Sequence, residues 1–315
     1  MHADAARTVL LRTGRCPDCR STLDWEYVDA RCTGCGQSFG ATDGVPVLLP
    51  REGRPPRPRE PTGAQGEVPD AAIRVLERYR RILRPSTTYK SVAKSQVIDF
   101  AAGFTEGSLV LNIGGGSRDY GPHVLNLDIE PMPGIDVIAV AEKLPFADDS
   151  CDGVILQAVL EHVVDENDTL AESFRVLRTG GRLLVEIPFI QGDHPAPGDY
   201  RRYTEQGLRQ IVERHGFEVE ASGVAVGPAS GFAWVLAEFL ALLISVRSRK
   251  LYRLARLGTT FIAWPVKFLD RVLDRHPMAH VIASGVWVSA TKVASDRPDA
   301  TSRLVVDHHD EAPLT

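Results

Sequence analysis

Between residues 109 and 163 the chain alternates short apolar runs with turns. Leu109, Val110, Leu111 and Ile113 lead straight into Gly114, Gly115 and Gly116, the pattern of a buried strand ending in a tight turn. Val124, Leu125 and Leu127 form a second run that ends at Asp128. Residues 174–185 read as a helix, a Gly-Gly turn and a strand, with the fifth strand over 182–187. Residues 205–215 then read as a helix stopped by Gly216, followed by a sixth strand over 217–220. The best candidate for a seventh strand lies far downstream, at 285–292, so residues 224–283 read as an insertion. Upstream, residues 71–84 carry Ile73, Leu76, Tyr79 and Leu83 at helical spacing before Pro85, and 87–104 form a second helical candidate. Strands alternating with helices predict an α/β fold.

The insertion has its own pattern. Apolar residues fill 229–246, broken by Glu238, and return over 261–273; between them lie Arg247, Arg249, Lys250, Arg253 and Arg256 without an acid. A membrane-spanning helix takes about 20 apolar residues. Glu238 sits in the middle of the first stretch, so a helical cap over the substrate pocket or a homodimer surface is expected ahead of a span. The basic block adds the alternative of a peripheral contact with an anionic membrane.

Composition narrows the class. The 315 residues suggest about two domains. The net charge of -5 is mild and neither demands nor excludes a nucleic-acid partner. The first fifteen residues have mixed charge and no apolar core, so no export signal is expected and the protein is expected to be cytoplasmic. Four of the five cysteines form two C-x-x-C knuckles, Cys16 with Cys19 and Cys32 with Cys35, around a short hairpin. Paired knuckles supply the four thiolates that tetrahedral zinc takes, with no ligand position left open for catalysis; a redox dithiol pair is the alternative. The reading is a zinc ribbon over 1–50, a Pro- and Gly-rich linker over 51–70, a main domain over 71–293 and a disordered tail over 294–315.

Taken together, the motifs point to known families. The Asn112-to-Gly116 turn, Leu144-Pro145-Phe146 with Asp148 and Asp152, Leu160-Glu161-His162-Val163, and Arg175-Val176-Leu177 before Gly180-Gly181 occur in that order. The ordered set resembles the class I S-adenosylmethionine-dependent methyltransferases of the type 11 group. Phe39 to Pro50, ending Val45-Pro46-Val47-Leu48-Leu49-Pro50, resembles the ribbon family that includes the activator subunit of tRNA and protein methyltransferases. The first resemblance implies a Rossmann-like sheet with S-adenosylmethionine above the carboxyl ends of the strands. It implies that Gly114 and Gly116 line the methionine and ribose end and that Asp128 takes the ribose hydroxyls. Ile129, Ala141 and Glu142 would lie near the adenine, and Gln157 beneath the cofactor. Asn112 stands where the family has an acid before the first glycine, Arg118 replaces the third glycine, and Val140 replaces an acid two residues before Glu142.

The loop after the fifth strand is polar and lies at the ligand-binding edge, where loops shape acceptor sites. His194 is the first candidate base for a hydroxyl acceptor, with Asp199 as its orienter or as an alternative base. His162, Tyr200, Arg201 and Arg202 are candidate acceptor contacts, the arginines for a phosphate or carboxylate. The favoured function is a methyltransferase acting on a small-molecule, glycan or lipid-linked acceptor at oxygen. One alternative is an rRNA or tRNA base methyltransferase that reads RNA with its ribbon. Another is a non-catalytic partner of a second methyltransferase.

Overall fold

The computed structural model of the protein describes residues 3–52, 92–116, 118–194 and 198–294. The helix expected over 71–84, most of the linker and the tail after residue 294 lie outside the described residues.

The chain opens with a helix, α1 (Ala3–Thr13), that the mixed charge of this stretch did not suggest. The ribbon follows: β1 (Leu23–Glu26) and β2 (Asp29–Cys32) pair antiparallel, β3 (Ser38–Phe39) joins β2, and β4 (Ala41–Thr42) pairs with β5 (Val45–Pro46). Helix α2 (Val92–Ala102) leads into the main sheet. Its strands are β6 (Val110–Ile113), β7 (Val124–Asp128), β8 (Val137–Ile138), β9 (Cys151–Gln157), β10 (Leu177–Pro188), β11 (Phe217–Val226) and β12 (Gly285–Lys292). They lie in the order β11-β12-β10-β9-β6-β7-β8. The strands from β10 to β8 run parallel, while β12 is antiparallel to both its neighbours. All of β6 is buried, as its continuous apolar run requires of a parallel strand covered on both faces. The seventh strand is the downstream one expected, inserted between the fifth and sixth.

Two crossover helices carry their start signals. Asp165 caps α3 (Glu166–Val176) by accepting from Asn167 N at 2.8 Å. Thr204 caps α4 (Glu205–Arg214) by accepting from Gly207 N at 3.1 Å. The expected Gly-Gly turn is instead part of β10, which begins directly after α3. Gly180, with φ of 77°, takes up a register shift between Leu177 and Arg182.

The ribbon shares the core of the main domain. Val47 pairs in parallel with Ile138 on the outer edge of β8, and Leu48 N donates to Ile138 O at 2.9 Å. Arg15 N donates to Pro145 O at 2.9 Å, and Ala147 N to Thr13 O at 2.8 Å. Leu10 and Leu48 are almost fully enclosed, in one cluster with Val137, Leu144 and Phe146. Composition suggested a tethered module; backbone pairing and shared apolar burial make it part of the wall.

The insertion starts at Gly227, later than expected, because β11 runs on to Val226. It is helical: α5 (Pro228–Ser245), α6 (Arg249–Ala263), α7 (Asp270–Leu273) and two 3-10 turns. Asp270 is buried at the start of α5 and accepts from Ala229 N at 2.7 Å and Ser230 N at 2.9 Å, a carboxylate set on a helix N-terminus. A Cβ on Gly227 would stand 1.8 Å from Asp274 Oδ1, so only glycine fits beside this pair. Ala233, Ala237 and Ala241 give α5 a small-residue face, and Thr259 Oγ1 of α6 donates to Ala237 O at 2.8 Å. Glu238, the charge in the apolar stretch, meets Tyr252 and Arg256 of α6 inside the hairpin. Phe232, Phe239, Leu242, Leu243 and Ile244 are left facing outward. Helix α5 is long and apolar enough to cross a membrane by length and composition, with mean hydropathy 1.6, yet 44% of it is buried in the protein. Its packed alanine face and paired Glu238 favour the hairpin over a span.

Two outcomes follow from this packing. Leu48→Ala should destabilise the main domain by about 2–5 kcal/mol in denaturant unfolding, since it opens a cavity in a shared core; an unchanged midpoint would make the ribbon independent. Burial and the nearby Asp270 push Asp274 up to about 6. The folded state then holds an extra proton between the ordinary Asp value and about 6, so stability falls as pH rises through that window. Asp274→Asn should therefore raise the melting temperature at pH 7.5 and leave it nearly unchanged at pH 4.

Candidate active site

The glycine turn is built from beneath. Asn112 is buried and donates to Asn126 Oδ1 at 2.9 Å. Asn126 Nδ2 donates in turn to Arg118 O at 2.9 Å and Gly134 O at 3.0 Å. A Cβ on Gly115 would stand 2.2 Å from Asn112 Nδ2, and one on Gly114 2.6 Å from Val159 Cγ2. These two glycines are thus required by packing. Gly116 differs: its φ is 53°, and a Cβ there would meet nothing within 4 Å. Such open space beside a turn at a strand's carboxyl end lets a backbone approach a bound molecule. Asp128 closes it, with Oδ2 accepting from Gly116 N at 3.3 Å and Oδ1 from Glu130 N at 3.2 Å. Each oxygen keeps a lone pair for a hydroxyl donor.

Other expected cofactor contacts lie nearby. Ile129 follows Asp128 and is half-buried. Ala141 is buried, and Glu142 Oε1 accepts from Val164 N at 3.4 Å, so this acid also braces the loop after β9. Gln157, at the end of β9, accepts from Tyr120 Oη at 3.0 Å and from Arg118, and donates to Glu186 Oε2 at 2.9 Å. Burial raises Glu186 above the usual carboxylate range. Arg118 thus spends its charge on this network rather than on open solvent.

A second group lies past the same strand ends. Glu161 is fully buried, and neither carboxylate oxygen has a hydrogen-bond partner. Its Oε1 lies 3.7 Å from His162 Nε2 and 3.8 Å from His194 Nε2. The two imidazoles meet edge to face at 5.2 Å between centroids, and Trp234 of α5 lies 5.7 Å beyond His194. The facing Glu161 raises His194 above its ordinary value. Asp199 accepts from His194 N at 2.9 Å and from both terminal nitrogens of Arg202, the Nη2 bond being 2.6 Å. Arg202 holds Asp199 well below the usual carboxylate range. Asp199 thus orders the loop at His194 through its backbone N–H, with Arg202 bound across both of its oxygens. Arg201 donates to Leu160 O at 2.9 Å and Val163 O at 2.7 Å and pairs with Glu166 at 2.9 Å. Both arginines are engaged with the protein's own groups. Tyr200 is half exposed and donates its backbone N–H to Glu161 O at 2.8 Å. Glu161 and Trp234 were missed in the sequence: one sits inside a common motif, the other inside an apolar run.

Comparison with known proteins bears on this arrangement. The methyltransferase domain model matches residues 119–185. A demethylmenaquinone methyltransferase of Renibacterium salmoninarum is 35% identical over 133 residues, covering 36% of this chain and 54% of the relative. A ubiquinone/menaquinone biosynthesis C-methyltransferase of Pasteurella multocida is 34% identical over 110 residues, covering 27% of this chain and 41% of the relative. The chain thus spans about half the length of the first of these relatives. Among solved structures, a Burkholderia thailandensis 1,6-didemethyltoxoflavin-N1-methyltransferase shares 14% identity, with a TM-score of 0.39 and coverage of 71% of this chain and 86% of the other.

The chain carries a class I S-adenosylmethionine-dependent methyltransferase domain. The Gly114–Gly116 turn with Asp128 suits the polar end of the cofactor that the domain implies, since a Cβ on Gly116 would meet nothing within 4 Å. In front of the methyltransferase domain, the four ribbon thiols converge: Cys16, Cys19, Cys32 and Cys35 bring their sulfurs within 4.8 Å of one another. Asp128→Ala should weaken S-adenosylmethionine binding by about 2 kcal/mol, roughly thirtyfold, as a charged acceptor of hydroxyl bonds is lost. Calorimetry with unchanged affinity would remove Asp128 from the cofactor site.

Proposed function

We propose that the chain transfers a methyl group from S-adenosylmethionine to an oxygen of a small, lipid-linked acceptor, working at the cytoplasmic face of a membrane. One observation carries this reading. The buried Glu161, with His162 and His194, follows the carboxyl end of β9, and Trp234 of α5 lies against His194. The insertion and the reacting site are therefore one structure. A Cβ on Gly192 would stand 2.6 Å from Trp234 Nε1, so helix and loop are in close contact there.

The cofactor supplies an activated methyl on a sulfonium. The protein's part is to hold, orient and deprotonate. The glycine turn and Asp128 hold the cofactor's polar end, and Gln157 is fixed beneath by Tyr120 and Glu186. Histidine nitrogens over a buried carboxylate favour loss of the acceptor's hydroxyl proton. As the O–C bond forms, the S–C bond breaks and its electron pair returns to sulfur. The names of the two relatives, which concern quinones and carbon methylation, support a lipid-linked acceptor. They also support a second reading, methylation of a ring carbon, because loss of the same hydroxyl proton makes a phenol's ring carbon nucleophilic.

The outward face of the hairpin supports the membrane. Phe239, Leu242, Leu243, Ile244, Phe261 and Ile262 are exposed, and Arg247, Arg249, Lys250 and Arg253 cluster at the bend between α5 and α6. Apolar surface beside basic charge suits an interface rich in anionic lipid. RNA recognition by the ribbon finds less support. Of the ribbon's two large rings that could stack on a base, Trp25 packs against the protein's own core, while Tyr27 is exposed beneath Arg7. For the ribbon itself we propose structural zinc. Thiolates on one tetrahedral zinc stand about 3.8 Å apart. Here Cys16 and Cys35 sulfurs are 3.8 Å apart, and those of Cys19 and Cys32 3.3 Å.

Two measurements test the reading. With S-adenosylmethionine labelled in its methyl, label should pass to a prenylated phenol or hydroquinone, and chemical analysis of the product gives the atom. Label passing to an rRNA or tRNA transcript instead would overturn the acceptor class. In vesicle sedimentation, full-length protein should bind vesicles containing phosphatidylglycerol, more weakly at high salt. Replacing Arg247, Arg249, Lys250 and Arg253 by Gln should remove about 1 kcal/mol of attraction per basic residue near the surface. No binding by either protein would leave the hairpin as a soluble cap or dimer face.

A further inference from the structure

We propose that Glu161, His162 and His194 hold a divalent transition-metal cation, separate from the ribbon's thiolate cluster. The inference rests on the acceptor reading only for the cation's role, not for its binding.

Hydrogen positions give the first argument. His162 Nδ1 faces Gly198 O, and His194 Nδ1 faces Gly192 O at 3.0 Å. A carbonyl oxygen only accepts, so in each neutral ring Nδ1 carries the proton. Each Nε2 then presents a lone pair, and both point at Glu161 Oε1. Metal-binding histidines are commonly fixed in this way, by a backbone carbonyl at the other nitrogen. Asp199 Oδ2, at 3.5 Å from His194 Nδ1, adds a carboxylate behind the ring. Arg202 Nη2 stands 3.4 Å from the same nitrogen, but it donates to Asp199 Oδ2 at 2.6 Å and Gly192 O at 3.2 Å, and the nearer carbonyl at 3.0 Å takes the Nδ1 proton.

The second argument is the carboxylate. Glu161 is 0% exposed, and neither oxygen meets a donor within hydrogen-bond distance. Two lone pairs aimed at a buried, unpartnered anion need positive charge between them. At 3.7 and 3.8 Å the nitrogens are too far for hydrogen bonds to Oε1. They are close to the spacing of shared ligands: on an ion with bonds of about 2.1 Å, neighbouring ligand atoms stand about 3.0–3.4 Å apart. All three donor atoms lie within 4.8 Å of one another, and the two nitrogen-to-carboxylate spacings of 3.7 and 3.8 Å need to shorten by only a few tenths of an ångström to match shared ligands.

Two imidazoles and a carboxylate suit Zn²⁺, Co²⁺, Mn²⁺ or Fe²⁺, and three protein ligands leave coordination positions open. His162 and His194 are partly exposed, so the open side faces the acceptor's approach. An acceptor hydroxyl bound there would lose its proton to solvent more readily, because coordination favours the oxyanion. In that arrangement the histidines act as ligands, and activation of the oxygen comes from the cation.

Metal stoichiometry of the full chain tests this without acceptor or cofactor. Protein stripped with a chelator and reloaded with zinc should hold about two ions per chain, one in the ribbon and one here. His194→Ala and His162→Ala should each hold about one, as should Glu161→Gln. His194→Ala is the primary variant, since its ring is partly exposed and its loss leaves the core intact. Cobalt added to protein with a zinc-filled ribbon should give weak visible bands without thiolate charge transfer, absent in His194→Ala. One zinc per chain in the wild type, or a second zinc retained equally by both histidine variants, would overturn the proposal. Failure of the acceptor reading would appear only in label transfer and would leave the stoichiometry unchanged.

Discussion

A buried ion pair on helix α3 ties the parts of the molecule together. Glu172 accepts from Arg175 through both carboxylate oxygens, at 2.7 Å each, and from Leu144 N at 2.8 Å. Arg20 of the ribbon reaches the same carboxylate at 3.0 Å. Arg175 in turn donates to Leu144 O, Phe146 O and Asp148, so the 144–148 loop is gripped at several points. Removing either partner would leave a buried charge without its counter-charge, the costly way to break such a pair. Ribbon, loop and helix are thus positioned by shared hydrogen bonds. This explains how a chain with two-residue ribbon strands keeps them in register against the sheet.

The glycine turn follows a different logic, that of neutral polar groups in the core. The Asn112–Asn126 pair holds the glycine turn without a charge, and Asp136 fixes Asn126 N at 2.9 Å. An acid at position 112 would have to be matched by something else in this buried setting. Here a fully satisfied amide pair supports the backbone, and Asp128 remains the acid nearest the open side of the turn. Charge at the site is held on the two sides of the turn: Asp128 on one, and the Arg118–Gln157–Glu186 network on the other.

Much of this was legible in the sequence because it depends on local pattern. Continuous apolar runs gave the parallel strands, and Gly114–Gly116 marked the turn that ends β6. Two knuckles gave the cysteine cluster, and the gap before Gly285 gave the helical insertion. What stayed hidden depends on contacts between distant segments. Val47 meets Ile138 through a single bridge, which has no period to detect. Glu161 becomes notable only when the loop carrying His194 folds back over it. Trp234 looked like any residue of an apolar stretch until α5 packed on that loop. Arg201 and Arg202 stood out as candidate acceptor contacts, and nothing local in the sequence signalled that backbone carbonyls, Glu166 and Asp199 are their partners. Gly180 and Gly181 signalled a turn, but strand pairing absorbed them as a register shift.

The seating of Val47 against β8 has a consequence for the behaviour of the unfolding chain. β8 is the last strand of the sheet on that side, and a bare edge offers unpaired backbone groups to any strand that approaches. The ribbon covers part of this edge with its own backbone. A chain whose ribbon has lost its shape while the sheet survives would expose a parallel, apolar edge to other copies. Oxidation of the four cysteines would then act first on solubility, turning a local loss of structure into self-association before the sheet itself melts.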